Sequence, residues 1–349
     1  MSKLLVWVDA GGGLGGCLVG FPAGAREGEA VTGGHMKAPF PYPGGKSQIA
    51  PQVWALLGDV DHYLEPFAGS LAVLLARPHW RRGVRLHETM GDYSARIAHL
   101  WRAIKLRPAE VAEACVWPAH EVDYHARHAA ILRDLDGLKA RLLEDPDWCD
   151  PRIAGWEVWG FSLQIGQDWM KETRLGARPS PPRGGSMSVG FDPAQIHALG
   201  QRLRHVSTLY GDWRRCVSSN VALRGPLIGD VSEATIGVFL DPPYAPALNR
   251  GGATVYHADE ASIADDVRAW CVEWGSRPWL RIVLAGHVGE HDALLAHGWR
   301  RVDWTSGGMA GGWARTGSGT DRQEALWASP ACLSLDLPPL LAWRDTATP

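Results

Sequence analysis

The sequence contains no Cys-x-x-Cys pair, no His-Glu-x-x-His order and no apolar run approaching the ~20 residues of a membrane helix. Its six cysteines, at positions 17, 115, 149, 216, 271 and 332, are widely spread. That spacing argues against a disulfide framework or a cysteine zinc site and fits reduced, mostly buried thiols in a cytoplasmic protein. Histidines gather at His120, His125 and His128 and again at His287 and His291, but with no cysteine partners, so no metal site is read from them. Net charge is also small: 35 Lys and Arg against 38 Asp and Glu leave −3, so a nucleic-acid partner has to be held by local charge. What the chain does have is length, 349 residues, enough for one large α/β domain with an insertion, and eighteen tryptophans.

Residues 1–35 are so rich in Gly, Ala and Glu beyond a short apolar stretch at 4–8 that they read as a disordered leader or extension, with the working domain beginning near Met36. Three motifs follow in order. In Tyr42-Pro43-Gly44-Gly45-Lys46, glycines let backbone NH groups approach a polar ligand and Lys46 adds a cation, but the Walker spacing is missing. In Glu65-Pro66-Phe67-Ala68-Gly69, a short strand breaks at proline and turns into a helix, the setting in which a nucleoside cofactor lies against a strand–helix turn. In 236–244, the apolar run Ile236-Gly237-Val238-Phe239-Leu240 stops at Asp241-Pro242-Pro243-Tyr244. A buried strand there delivers a stiff polar loop into a cleft, because proline fixes φ and cannot continue a ladder. Asp241 and a proline-constrained carbonyl accept hydrogens from an exocyclic amine, and Tyr244 offers a face to a planar base.

Further strands are expected at 84–87, 206–210 and 280–285, with 299–304 and 323–327 as an antiparallel hairpin. Helices are expected at 49–57, 71–76, 93–105, 260–274 and 290–296. Asp92 falls after the second strand, where doubly wound folds hold ribose hydroxyls, and Asp212 sits at another strand's carboxyl end, with Asp230 as the alternative to it. Between about 106 and 205 strand signals disappear. Helical stretches at 109–115, 120–143 and 194–203 flank a Trp-rich segment, 155–170, and a loop at 171–190 rich in Arg, Pro, Gly and Ser. From Lys171 to Arg215 eight Lys and Arg face three Asp and Glu, a basic stretch that either forms solvated surface or, with Trp156, Trp159, Phe161 and Trp169, grips phosphates and bases. The fold class is therefore α/β: a doubly wound, mostly parallel Rossmann-like sheet with an antiparallel edge hairpin and a mainly helical insertion.

The three ordered motifs with a helical, basic insertion before the last resemble the Dam-like, alpha-group DNA adenine-N6 methyltransferases, over roughly residues 36–333. The resemblance implies S-adenosyl-L-methionine as cofactor, bound by Tyr42, Gly44, Gly45, Lys46, Glu65, Pro66, Phe67 and Gly69, with Asp92 on the ribose and Asp212 on the adenine. It implies a catalytic loop of Asp241, Pro242, Pro243 and Tyr244, a transferase domain of 36–105 and 206–333, a target-recognition insertion of 106–205 and a tail of 334–349. It further implies a double-stranded DNA partner and no membrane, and is compatible with a restriction-modification or phage setting, a cognate restriction enzyme, and a monomer or weak dimer. GATC-methylating members carry a basic residue where this chain has Pro41, so that specificity does not carry over. Cytosine-N4 enzymes usually have Ser in place of Asp241. The alternatives are transfer to cytosine N4 or RNA adenine, or a non-catalytic nucleic-acid-binding relative.

Lys171, Arg174, Arg178 and Arg183 are the expected DNA contacts. Neutralising all four is expected to flatten the salt dependence of duplex binding while leaving cofactor affinity unchanged, as measured by binding at several salt concentrations. An unchanged slope would move the DNA surface elsewhere.

Overall fold

The computed structural model describes residues 36–42, 44–78, 87–163, 168–170, 193–218, 234–244, 260–305 and 323–334, all within one compact unit, His35–Pro349. The expected leader, Pro43, the four basic residues Lys171, Arg174, Arg178 and Arg183, Asp230 and nearly all of the tail lie outside them.

Seven strands form one sheet: β1 (His62–Glu65), β2 (His87–Asp92), β3 (Val206–Tyr210), β4 (Ile236–Leu240), β5 (Leu280–His287), β6 (Arg300–Thr305) and β7 (Gln323–Ala328). Their order is β3-β2-β1-β4-β5-β7-β6. The first five run parallel, and β7 is antiparallel to both β5 and β6, so the hairpin closes one side of the sheet. The apolar runs form strands buried on both faces. In β4, Ile236, Val238 and Leu240 enter one apolar cluster while Phe239 enters the other, and in β5 Leu280, Ile282 and Leu284 part from Val283 and Ala285 in the same way. This alternation is the two-residue period of a strand read on two covered faces.

Helices cover both faces. Val267 and Cys271 of α9 (Glu260–Trp274) pack into one cluster; α1 (Ala50–Leu57), α2 (Ala72–Leu75) and α3 (Ala95–Leu106) pack into the other. Proline at the start of α1 suits a first turn whose N–H groups lack intrahelical partners. The insertion follows as α4 (Pro108–Ala114), α5 (Glu121–Arg133), α6 (Leu135–Glu144), α7 (Pro151–Leu163) and α8 (Pro193–Arg202). The first turn of α7 is capped by Asp150, whose Oδ1 accepts from the backbone of Arg152 at 2.9 Å and Ile153 at 3.1 Å.

The structure changes several sequence expectations. The second strand runs over His87–Asp92 rather than ending at 87. Glu88 disguised it: its buried carboxylate is held by Arg202 at 2.5 and 2.7 Å and by Arg77 at 3.2 Å, so a charge sits within the strand at acceptable cost. The expected helix 120–143 is two, α5 and α6, separated at Asp134, whose φ of −113° and ψ of 22° leave the helical region. The expected helix near 290–296 is a 3-10 turn, Asp292–His297, ended by Gly298 at φ 80°.

The aromatic reading of the insertion is also corrected. Trp159, Phe161 and Trp169 are core, not DNA-facing surface, and Trp156 is half-buried. Phe161 stacks on Phe40 with ring centroids 4.8 Å apart. The Trp169 indole donates to Glu157 Oε2 at 2.7 Å, and Glu157 takes a two-pronged ion pair from Arg96 of α3, Nε to Oε1 at 2.6 Å and Nη2 to Oε2 at 2.8 Å. The insertion core is therefore continuous, through α3, with one face of the sheet.

Both members of the Arg96–Glu157 pair are buried, so removing one strands the other without water. Glu157→Ala is expected to lower unfolding free energy by about 3–5 kcal/mol in urea titrations, and the double change Arg96→Met with Glu157→Leu by much less. Equal losses would show that the pair contributes packing rather than charge satisfaction.

Candidate active site

The carboxyl ends of β3, β2, β1 and β4 lie side by side, because these strands are parallel neighbours. Each ends at a residue singled out in the sequence: Asp212 just beyond β3, Asp92 closing β2, Glu65 closing β1, and Asp241 just beyond β4. β2 and β3 lie on one side of β1, and β4 and β5 on the other, so the chain reverses its winding at the β1–β4 pair. Ligands of open α/β sheets bind in the crevice at such a point.

On the β1–β2 side the backbone turns tightly. The Ala68 amide donates to Gly91 O at 2.9 Å and the Gly69 amide to Asp92 Oδ2 at 2.9 Å, while Asp92 Oδ1 accepts from Ser94 at 2.8 Å. Gly69 has φ 44°, and a Cβ there would lie 2.8 Å from Cε1 of Tyr42, so glycine admits both the turn and the tyrosine ring. Leu71, entering α2, is the single described non-glycine residue in the left-handed region, at φ 55°. Burial raises the Asp92 carboxyl to about 6, against the two amide hydrogen bonds that favour its charge.

Glu65 behaves differently. It is buried, and its Oε2 accepts from the Tyr63 hydroxyl and from the Leu74 amide, each at 2.9 Å. Burial raises it to about 8; those two donors oppose the shift, and the nearby carboxylates of Asp241 and Glu88 add to it. Its carboxyl thus fastens α2 to β1 and is largely uncharged at neutral pH.

Around β4, Lys46 is the centre. Its buried ammonium donates to Gly44 O at 2.6 Å, lies 3.0 Å from Asp241 Oδ1 and 3.9 Å from Glu324 Oε2, and sits 5.1 Å from the centroid of the Tyr244 ring. Gly45 keeps this turn closed: its amide donates to Tyr42 O at 2.9 Å, and a Cβ would lie at that same distance from the oxygen. The Tyr244 hydroxyl is 3.3 Å from Asp241 Oδ1 and 3.4 Å from Glu324 Oε2, and burial raises it well above the usual phenol range, so it stays a donor. His287 meets the Tyr244 ring edge-on at 4.6 Å. Lys46 and the Tyr244 hydroxyl thus both address Asp241 through Oδ1.

The sequence-predicted residues therefore fall into two groups. Tyr42 and Gly69 meet at the strand–helix turn beside Asp92, and Lys46, expected with the cofactor residues, meets Asp241 and Tyr244. Asp212 is half-exposed and occupied: its Oδ1 accepts from the Arg214 amide at 2.8 Å and its Oδ2 from Nη1 of Arg214 at 3.1 Å, while Arg214 reaches Asp266 at 2.6 Å. Phe67 stacks on Trp213 beside it with centroids 6.1 Å apart. Sequence reasoning missed Glu324 and His287. The one signal available was a carboxylate in the otherwise apolar strand Glu324-Ala325-Leu326-Trp327.

The sheet is doubly wound, with carboxylates along one edge and an Asp-Pro-Pro-Tyr loop at the switch point, an architecture of the Rossmann-like class. Residues 42–127 match the model of the D12 class N6 adenine-specific DNA methyltransferases, a class of enzymes, consistent with a Dam-like adenine methyltransferase. The match spans the first two motifs and Asp92, supports adenine-N6 methylation of DNA, and through the family implies use of S-adenosylmethionine. No curated protein matches the chain. No described helix is long and apolar enough to cross a membrane.

Because the Glu65 carboxyl is raised in the fold, its protonated form contributes stability that is complete below the unfolded value and is lost as pH rises through about 8. Glu65→Gln is expected to raise the thermal midpoint at pH 8 more than at pH 5. A change equal at both pH values would exclude the charge as the cause.

Proposed function

We propose that this protein is a site-specific methyltransferase that binds S-adenosyl-L-methionine and methylates adenine N6 in double-stranded DNA, with residues 36–105 and 206–333 as the transferase and 106–205 reading the target. The observation that carries the reading is the arrangement at Asp241. Two described donors, Lys46 and Tyr244, address Oδ1, which leaves Oδ2 to accept from an incoming amine.

The residues present fit the cofactor. Gly69 lets the strand–helix turn close against the Tyr42 ring, Asp92 places a carboxylate at the end of β2 for ribose hydroxyls, and Phe67 and Asp212 border the next strand end. When bound, S-adenosylmethionine supplies an electrophilic sulfonium methyl. Asp241 Oδ2 and the Pro242 carbonyl accept the hydrogens of the target amine, which draws its lone pair out of conjugation with the ring and orients it. Tyr244 presents its face to the base, which has to leave the duplex to reach this crevice. Lys46 and the Tyr244 hydroxyl orient Asp241 through Oδ1, so Oδ2 faces the amine as an acceptor. The proton released on methylation leaves by way of that acceptor pair to water.

Asp241→Ala is expected to abolish methyl transfer while cofactor affinity stays within a few-fold, because the carboxylate addresses the target and not the cofactor. Asp92→Asn should do the reverse, weakening cofactor binding at pH 7.5 and removing the loss that wild type is expected to show as pH falls through about 6, where Asp92 protonates. Cofactor titration and turnover of the purified variants check both, and full turnover by Asp241→Ala would end this reading.

A further inference from the structure

Glu324 is the second residue of β7, and β7 runs against β5. That reversal brings the amino-terminal end of β7 to the carboxyl edge of the parallel strands, where Glu324 pairs across the ladder with His287. From there its Oε2 reaches the same two donors that hold Asp241, Lys46 at 3.9 Å and the Tyr244 hydroxyl at 3.4 Å. The Tyr244 hydroxyl has one proton and two carboxylates within reach, and one buried ammonium stands between two acids. The charge of Lys46 is thus shared, and Asp241 does not hold it alone.

We propose that Glu324 is a positioning residue for methyl transfer: it takes part of the Lys46 charge and offers the Tyr244 hydroxyl a second acceptor, so that Asp241 retains the basicity to accept from the target amine. The inference rests on the role given to Asp241 above. Without Glu324 both donors collapse onto Asp241 Oδ1, and the carboxylate, more fully neutralised, becomes a poorer acceptor. Among the described residues, the charged and titratable groups around Asp241 are Lys46 from the first motif, Tyr244 from its own loop, Glu324 from β7 and Glu65 from β1, with His287 and Glu290 beyond Tyr244.

The test compares wild type, E324Q and E324D in turnover on one DNA substrate across pH, with cofactor affinity and thermal midpoint measured for each. E324Q is expected to lose about tenfold in kcat, with cofactor Kd and DNA KM within about twofold. Its acid limb of kcat should move to lower pH, because one of the two carboxylates that flank the Lys46 ammonium has been removed. E324D, which keeps the charge one methylene further away, should fall between the two in rate and limb. A merely structural role would lower the thermal midpoint and rate with the limb unmoved, and that result, or wild-type behaviour of E324Q, overturns the proposal. If E324Q does not fold, E324D decides alone: wild-type rate and limb overturn the proposal, a lowered rate with a limb moved toward acid supports it. Asp241→Ala is measured in parallel. Turnover there overturns the role of Asp241 itself, whereas an inactive Asp241→Ala beside an unaffected E324Q removes only the role of Glu324.

Discussion

Everything in the site depends on the parallel pairing of β1 with β4. His62 to Leu64 lie in register with Ile236 to Val238, although about half the chain separates them. Each strand has a second neighbour, β2 for β1 and β5 for β4, so both are interior strands, and their pairing brings their carboxyl ends together. The two loops that follow, Glu65 to Gly69 and Asp241 to Tyr244, then open onto one crevice. Each strand is ended near that edge by proline, so the loops are held close to the pairing that positions them.

Buried charge fastens the remaining parts to this centre. Glu88 in β2 joins Arg77 beyond α2 to Arg202 at the end of α8, and Glu157 in α7 joins Arg96 in α3. Neither pair is expected to add much stability over an apolar replacement of the same shape, since desolvation of both partners offsets their attraction. What such pairs add is discrimination: a shifted helix leaves a buried ion without its partner. The first ties α8 to the sheet and the second ties α7 to α3, so the helices that follow α3 are positioned with respect to the strand ends.

The crevice uses the same physics for a different end. Burial pushes Glu65 and Asp92 toward the neutral form, helped at Glu65 by the neighbouring carboxylates of Asp241 and Glu88, and directed donors oppose it. Around Asp241 the donor is a full cation, Lys46, and a second acid, Glu324, moderates it. Three carboxyl groups along one strand edge therefore differ in setting because their partners differ: a phenol and an amide for Glu65, two amides for Asp92, an ammonium and a phenol for Asp241.

Local sequence was enough for the strands β3 and β4 and for α9, whose limits follow from β-branched and apolar runs ended by glycine or proline and from helical periodicity, and for the three motifs, whose proline and glycine content dictates backbone shape. It was also enough for the fold class, since alternating strands and helices with one long helical interruption leave few topologies. It was not enough where a residue's meaning lies in a distant partner. Glu88 hid a strand because Arg77 and Arg202 neutralise it, and Trp159, Phe161 and Trp169 resembled a nucleic-acid surface until the packing of α7 against α3 covered them. Lys46 reads locally as a cofactor residue, and only the sheet places its ammonium 3.0 Å from Asp241. Glu324 carried almost no local signal at all. Its place beside Asp241 comes from the reversal of β7, and strand direction is a property of the assembled sheet that no single segment encodes.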